Sequence, residues 1–234
     1  VALFPETEQS AVARLRSPDE AVRARATDVV ISAYRGPIIA VLQRRFGLDL
    51  ADAEDLAHDF LMQALTKEWL QRYDPSRARF RTFLRSCVAA YASTAHEAAG
   101  RLKRGGGTVH VTLDDVTTAV PADNAMDALF DREWVRSVLG MALEALKAEC
   151  LAAGRSSTWA VFVAREVDGA GADTPPSYAE LANRLDLPVT QVTNFLAWAR
   201  PRFRTHVLDA VRALTSTDEE FRAEARALLG VELA

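Results

Sequence analysis

Two adjacent stretches of opposite charge constrain this chain more than any other feature. From Ala53 to Leu65, AEDLAHDFLMQAL places Ala53, Leu56, Ala57, Phe60, Leu61, Ala64 and Leu65 on one helical stripe. Asp52, Asp55 and Asp59, at i, i+3 and i+7, share the opposite face. From Tyr73 to Ser86, YDPSRARFRTFLRS opens as a turn, in which Pro75 fixes φ and Asp74 or Ser76 is suited to cap a following helix. Phe80, Phe83, Leu84, Cys87, Val88 and Tyr91 then repeat at helical spacing, while Arg77, Arg81 and Arg85 line up at i+4 steps elsewhere on the same cylinder. An acidic face alone reads as a solvated surface. Joined to a basic helix by a short turn, it predicts a two-faced module, one face for a basic partner and one for phosphate.

The charge is segregated along the chain. A net charge of −4, from 28 basic and 32 acidic side chains, argues against binding nucleic acid by bulk charge. Yet residues 72–104 hold eight Arg or Lys against Asp74 and Glu97, and residues 49–68 hold six acids against one Lys. With 49% apolar residues among 234, a core can be buried. No apolar run is long enough to span a bilayer and no charged-then-apolar leader opens the chain, so a cytoplasmic protein without membrane insertion is expected. Cys87 and Cys150 lie far apart without pairing or metal spacing and read as buried, reduced thiols. His58, His96, His110 and His206 are scattered, and no nucleophile stands beside a base in a recognised motif, so no enzyme, cofactor or metal is expected.

Taken in order, the chain predicts an all-α fold. Ser17-Pro18-Asp19-Glu20 reads as an N-cap with proline at the first helical position. A helix carrying Val22, Ala26, Val29 and Val30 follows, Gly36-Pro37 is expected to break or kink it, and a second helix runs from Ile38 to Phe46. With the acidic and basic helices these make a four-helix domain, residues 1–104. Residues 105–126 lose the pattern and read as a flexible linker; between Asp114 and Glu133 the chain carries six acids against Arg132. In the second domain, residues 127–212, a long helix carries Trp134, Val138, Leu139, Ala142, Leu146 and Cys150, and another runs from Thr158 to Val167. Ser177 and Glu180 form a capping box. Tyr178, Leu181, Ala182 and Leu185 then pack inward, Asp186 occupies the turn, and Val189, Val192, Leu196 and Ala199 repack against the first helix, the spacing of a helix-turn-helix. Pro201 should end or kink this last helix. Residues 213–234 form a helical extension with Phe221, Ala225, Leu228 and Leu229 on one face, read as a cap on the second domain rather than a docking helix for a regulator.

DAEDLAHDF, the turn and ARFRTFLRSCVAAY resemble the second conserved region of bacterial RNA polymerase sigma factors, in the extracytoplasmic-function (ECF) type of the sigma-70 family. The chain as a whole resembles a subgroup whose basic run ends in KRGGG, here Lys103 to Gly107, and the resemblance covers about residues 20–104 and 127–212. It implies a non-enzymatic subunit that binds core RNA polymerase and directs it to promoter DNA. Asp52, Glu54, Asp55 and Asp59 would meet polymerase. Arg77, Arg79, Phe80, Arg81 and Arg85, with Arg101, Lys103 and Arg104 on phosphate, would hold the melted minus-ten element. Thr190, Gln191, Asn194, Trp198, Arg200 and Arg202 would face the minus-thirty-five element, Gln and Asn being able to read adenine edges. An anti-sigma or other regulatory protein is a candidate partner.

Two features depart from the family pattern: YASTAHEAA, Tyr91 to Ala99, has small residues where the family carries more basic and aromatic ones, and the recognition helix is poor in charge. The first of them implies weak or narrowly specific duplex opening. A second reading is a sigma-like interaction protein or decoy that keeps a protein contact without reading promoter DNA; Trp198, taken as exposed, and the acidic tail favour it, and the intact arginine stripe disfavours it. A plain helix-turn-helix repressor is a third reading and leaves the acidic helix unexplained. In the subgroup some members carry a threonine within the polymerase-binding helix and depend on its phosphorylation. Here Ala57 aligns with it and Asp59 already supplies a negative charge. Control is therefore expected by occlusion, with a partner or the chain's own acidic linker or tail covering the arginine stripe.

Overall fold

The computed structural model describes residues 10–102, 124–171 and 174–230, and of residues 96–102 and 171 the backbone alone. Among the described residues the regular elements are all helical. They are α1 (Ala11–Arg14), α2 (Glu20–Phe46), α3 (Leu50–Thr66), a 3-10 turn (Trp69–Arg72), α4 (Phe80–Leu102), α5 (Asn124–Ala152), α6 (Ser156–Phe162) continued by a π-helical turn (Val163–Val167) and a 3-10 turn (Asp168–Gly171), α7 (Tyr178–Leu185), α8 (Val189–Leu214) and α9 (Asp218–Leu229). One compact unit comprises the described residues up to Ser137 together with those from Val211 onward; the other is Val138–Ala210. The expected segments 1–104 and 127–212 do not coincide with these units: the divisions fall within α5 and α8, and α9 clusters with the first unit. The expected linker, residues 105–126, lies outside the described residues up to position 123.

In the first unit α2 is one helix of 27 residues, not two, and Pro37 sits inside it. A proline removes one hydrogen bond and crowds the preceding turn. The apolar residues nonetheless keep helical phase across it, Ala26, Val30, Ala33, Tyr34, Ile38, Val41 and Leu42 all being buried. Burial on both sides holds the helix through the defect. Its N-cap is Asp19, two residues later than expected, accepting from the amides of Ala21 and Val22 at 2.9 and 3.2 Å. Gly47 closes α2 at φ 64°, a conformation that glycine adopts without strain. Asp49 caps α3 through the Asp52 amide at 2.9 Å. The short α1 and the Trp69–Arg72 turn were not legible as elements; they bury Val12, Leu15, Trp69 and Leu70.

The centre of this unit is aromatic. Tyr34 meets Phe80 edge-on with ring centres 5.5 Å apart and stacks on Phe130 at 6.2 Å, while Tyr73 meets Phe80 at 5.1 Å. Phe60 packs on Tyr91 at 5.5 Å and on Trp69 at 6.3 Å. From α4 the expected apolar stripe is buried, apart from half-buried Phe83.

The second unit is built on Leu146 and Cys150 of α5, Val161 and Phe162 of α6, Leu181 and Ala182 of α7, and Val192, Leu196 and Ala199 of α8. The expected capping box is present: Ser177 Oγ accepts from the Glu180 amide at 3.2 Å, and Glu180 Oε2 accepts from the Ser177 amide at 2.6 Å. Asp186 ends α7 in the left-handed region at φ 51°, which aspartate tolerates better than most side chains. Val189, expected inward, is 47% exposed because it opens α8 before the buried stripe begins. Nor does Pro201 end α8, which runs 26 residues to Leu214. The buried positions Leu196 and Ala199 before it, and Val207 and Ala210 after it, again keep helical spacing across the proline.

Candidate functional site

On α3 the core takes Ala53, Ala57, Phe60, Leu61 and Ala64 and leaves Asp52, Asp55 and Asp59 exposed on the far side. No described cation forms an ion pair with these three. Beside them lies an open groove of about 310 Å³, lined by Phe46, Leu48, Leu56, Ala92 and Ala95 as well as the three aspartates. Burial, and then the charge of Asp59, pushes the Tyr91 hydroxyl above its usual range; Gln63 Nε2 donates to it at 2.8 Å. The surface thus combines apolar area with unpaired negative charge, as a protein-docking face requires. Glu54, grouped with the aspartates from sequence, lies two residues from Asp52 and so points elsewhere on the cylinder. It pairs with Arg35 at 3.0 Å.

The basic segment is less uniform than its sequence. Because α4 starts at Phe80, Arg77 lies in the preceding turn and not on the helical stripe. That turn is closed by Asp74, whose Oδ1 accepts from the Ser76 hydroxyl at 2.7 Å and from its amide at 2.9 Å, holding the Asp74 carboxyl below its usual range. These residues shape the turn and do not cap α4. Phe80, placed at the nucleic-acid surface from sequence, is 0% exposed between Tyr34 and Tyr73 and belongs to the core. Arg77 remains 85% exposed beside Asp74, 3.5 Å away. Arg79, Arg81 and Arg85 are held by carboxylates: Arg79 and Arg81 by Glu224, Arg81 also by Asp131, and Arg85 by Asp127. Sequence reasoning named none of these three acids as site residues, although the acid-rich stretch and tail that contain them were visible. The Arg101 side chain, Lys103 and Arg104 lie outside the described side chains.

In the second unit, Thr190, Gln191 and Asn194 stand exposed on the outer face of α8. Trp198 is half-buried rather than exposed, because guanidinium groups cover its ring: Arg202 at 3.9 Å and Arg155 at 4.7 Å from its centre. Arg202 also donates to Glu149 at 2.9 Å, and His206 Nε2 lies 2.9 Å from the other oxygen of Glu149. Burial pushes the Glu149 carboxyl up, and the hydrogen bonds of His206 and Arg202 outweigh it, leaving the group below its usual range. Arg200 is tied to Glu166 at 2.6 Å and donates to Tyr178 Oη at 3.0 Å. The open polar patch of α8 is therefore uncharged, and Arg200 and Arg202 are engaged within the unit.

Cys87 and Cys150 are free and buried, and burial pushes the Cys87 thiol up to about 12. No cluster of His, Cys, Asp or Glu suited to a metal ion occurs among the described residues, and no described helix is long and apolar enough to cross a membrane.

Residues 30–101 match the sequence model of sigma-70 region 2, a segment covering less than a third of the 234 residues. It begins within α2 and spans α3, the turn and nearly all of α4. The match supports a sigma-70 family relationship, and with it RNA polymerase binding and a part in transcription initiation. Neither the curated proteins nor the solved structures yield a match.

Proposed function

We propose that this chain is a sigma factor of the ECF type, which binds core RNA polymerase through the acidic face of α3 and directs it to a limited set of promoters. The observation that carries the reading is the coincidence of the sigma-70 region 2 match with Asp52, Asp55 and Asp59 left exposed beside an apolar groove. In this reading the turn before α4 and the arginines of α4 hold the melted minus-ten strand, and α7 with α8 forms the helix-turn-helix that meets the minus-thirty-five element. There Thr190, Gln191, Asn194 and the covered Trp198 supply the contacts, with Arg200 and Arg202 nearby. The subunit is non-enzymatic, needs no cofactor, and works in the cytoplasm, where a regulatory protein is a further partner.

A second reading, a sigma-like protein that keeps the polymerase contact without reading DNA, is favoured by one observation: Arg79, Arg81, Arg85, Arg200 and Arg202 are already paired with carboxylates. Run-off transcription with purified bacterial core polymerase on genomic fragments separates the two. Discrete transcripts that depend on the added chain support the first reading. Polymerase binding without any chain-dependent transcript overturns it in favour of the second.

A further inference from the structure

Three carboxylates close over the basic helix of the first unit. Glu224 lies on the inner side of α9, only 4% exposed. Its Oε1 is 3.0 Å from Arg79 Nη1 and its Oε2 is 3.2 Å from Arg81 Nη1. Asp131 of α5 takes the Nε of the same Arg81 at 2.9 Å, and the guanidinium lies 4.5 Å from the ring centre of Trp134. One turn further along α4, Arg85 Nη1 meets Asp127 Oδ1 at 2.5 Å. Arg81 and Arg85 thereby keep only 15% and 21% of their side-chain exposure.

We propose that α9, with the first turns of α5, is an autoinhibitory acidic clasp that competes with a nucleic-acid strand for Arg79, Arg81 and Arg85, so that α9 must undock before α4 can hold DNA. The inference rests on the reading of α4 as the minus-ten helix. Carboxylate and phosphodiester oxygens make the same charge-assisted contacts to a guanidinium fork, and one fork cannot serve both at once. At Arg81, Nε and Nη1 are already committed to different acids. A phosphate taking Arg79 and Arg81 would strand Glu224 as a buried, unpaired charge, which the protein avoids only by moving α9.

The clasp is constructed so that it can leave whole. Thr217 caps α9 through the Glu220 amide at 3.1 Å, and Gly230 ends it in the left-handed conformation, so the helix carries both of its own termini.

The test uses the full chain, with Glu224→Gln to remove the shared anion and Thr217→Ala to weaken α9 without touching any arginine. Binding of a short fluorescent single-stranded oligonucleotide of mixed sequence is followed by anisotropy over a salt series, with hydrogen exchange on α9 in parallel. E224Q should bind about tenfold more tightly at low salt, with a steeper salt slope by about 0.7 for each phosphate gained. T217A should shift in the same direction, and oligonucleotide should strip exchange protection from wild-type α9. Equal binding by all three proteins, with α9 still protected in the complex, overturns the clasp and leaves the DNA role of α4 standing. If none binds the oligonucleotide although each binds core polymerase, the minus-ten reading fails first, and the clasp as a competitor falls with it.

Discussion

Helices α3 and α4 pack together in one unit, and each carries charge that its core stripe does not need. On α3, Asp52, Asp55 and Asp59 are exposed beside an apolar groove and pair with no described cation. On α4, Arg81 and Arg85 are folded under acids from α5 and α9. Both faces read equally well as binding surfaces along the sequence. What separates them is whether the same chain supplies countercharges at the right distance. Partly buried ion pairs are screened by salt much less than exposed ones, so the two faces should respond differently to mutation, salt and pH.

The largest effect is expected on the open face. Reversing Asp55 and Asp59 to Lys should abolish pull-down of core polymerase, a loss of about a hundredfold or more, because like charges juxtaposed at an interface cost several kcal/mol. Helical content and Tm should stay near wild type, since neither side chain contributes to the core. Unchanged pull-down breaks the comparison by showing that the open face is only solvated.

Next come the residues of the basic segment, whose roles the structure divides. Phe80→Ala should destabilise the first unit by about 3–5 kcal/mol, the range for truncating a buried aromatic. Arg77→Gln should leave Tm unchanged and lower the salt slope of oligonucleotide binding by about one phosphate. Thermal melts and a salt series on the two variants check this division. If F80A melts like wild type, Phe80 is a surface residue available for stacking after all.

The smallest effect concerns pH. Burial, with the nearby charge of Glu224, raises the Glu220 carboxyl above 4.5, its ordinary value, against the amide bonds it accepts and the charge of Arg79. A raised acid favours the docked state most below its ordinary pKa, and that contribution is lost as pH rises through the raised value. Glu220→Gln should therefore raise Tm slightly at pH 7.5, with the gain vanishing as pH falls below about 4.5. Melts at the two pH values decide it; an equal gain at both would mean that α9 docking does not depend on this ionisation.

Much of the fold was legible because it follows from local rules. Helical spacing located the buried stripes of α3, α4 and α7, and the side chains of Ser177 and Glu180 marked a helix start that the structure retains. The same spacing placed Asp52, Asp55 and Asp59 away from the core. Expectations failed where packing overrode a local rule. Pro37 and Pro201 disfavour a helix by themselves, yet buried residues in phase on either side carry α2 and α8 through. Spacing put Phe80 on the apolar stripe of α4 while the family resemblance put it at the melted strand, and the structure decides for the stripe, burying it between Tyr34 and Tyr73.

The sequence by itself therefore determined that the chain is helical, which residues each helix buries and where opposite charges are concentrated, since these depend on neighbours within a turn or two. Tertiary structure alone decided which charges are free. Arg79 and Glu224 stand 145 residues apart, and no periodicity or spacing couples positions so distant. Their pairing exists because α9 folds back onto the first unit, where Phe221 and Ala225 are buried, and the burial that docks the helix also carries its carboxylate to the arginines.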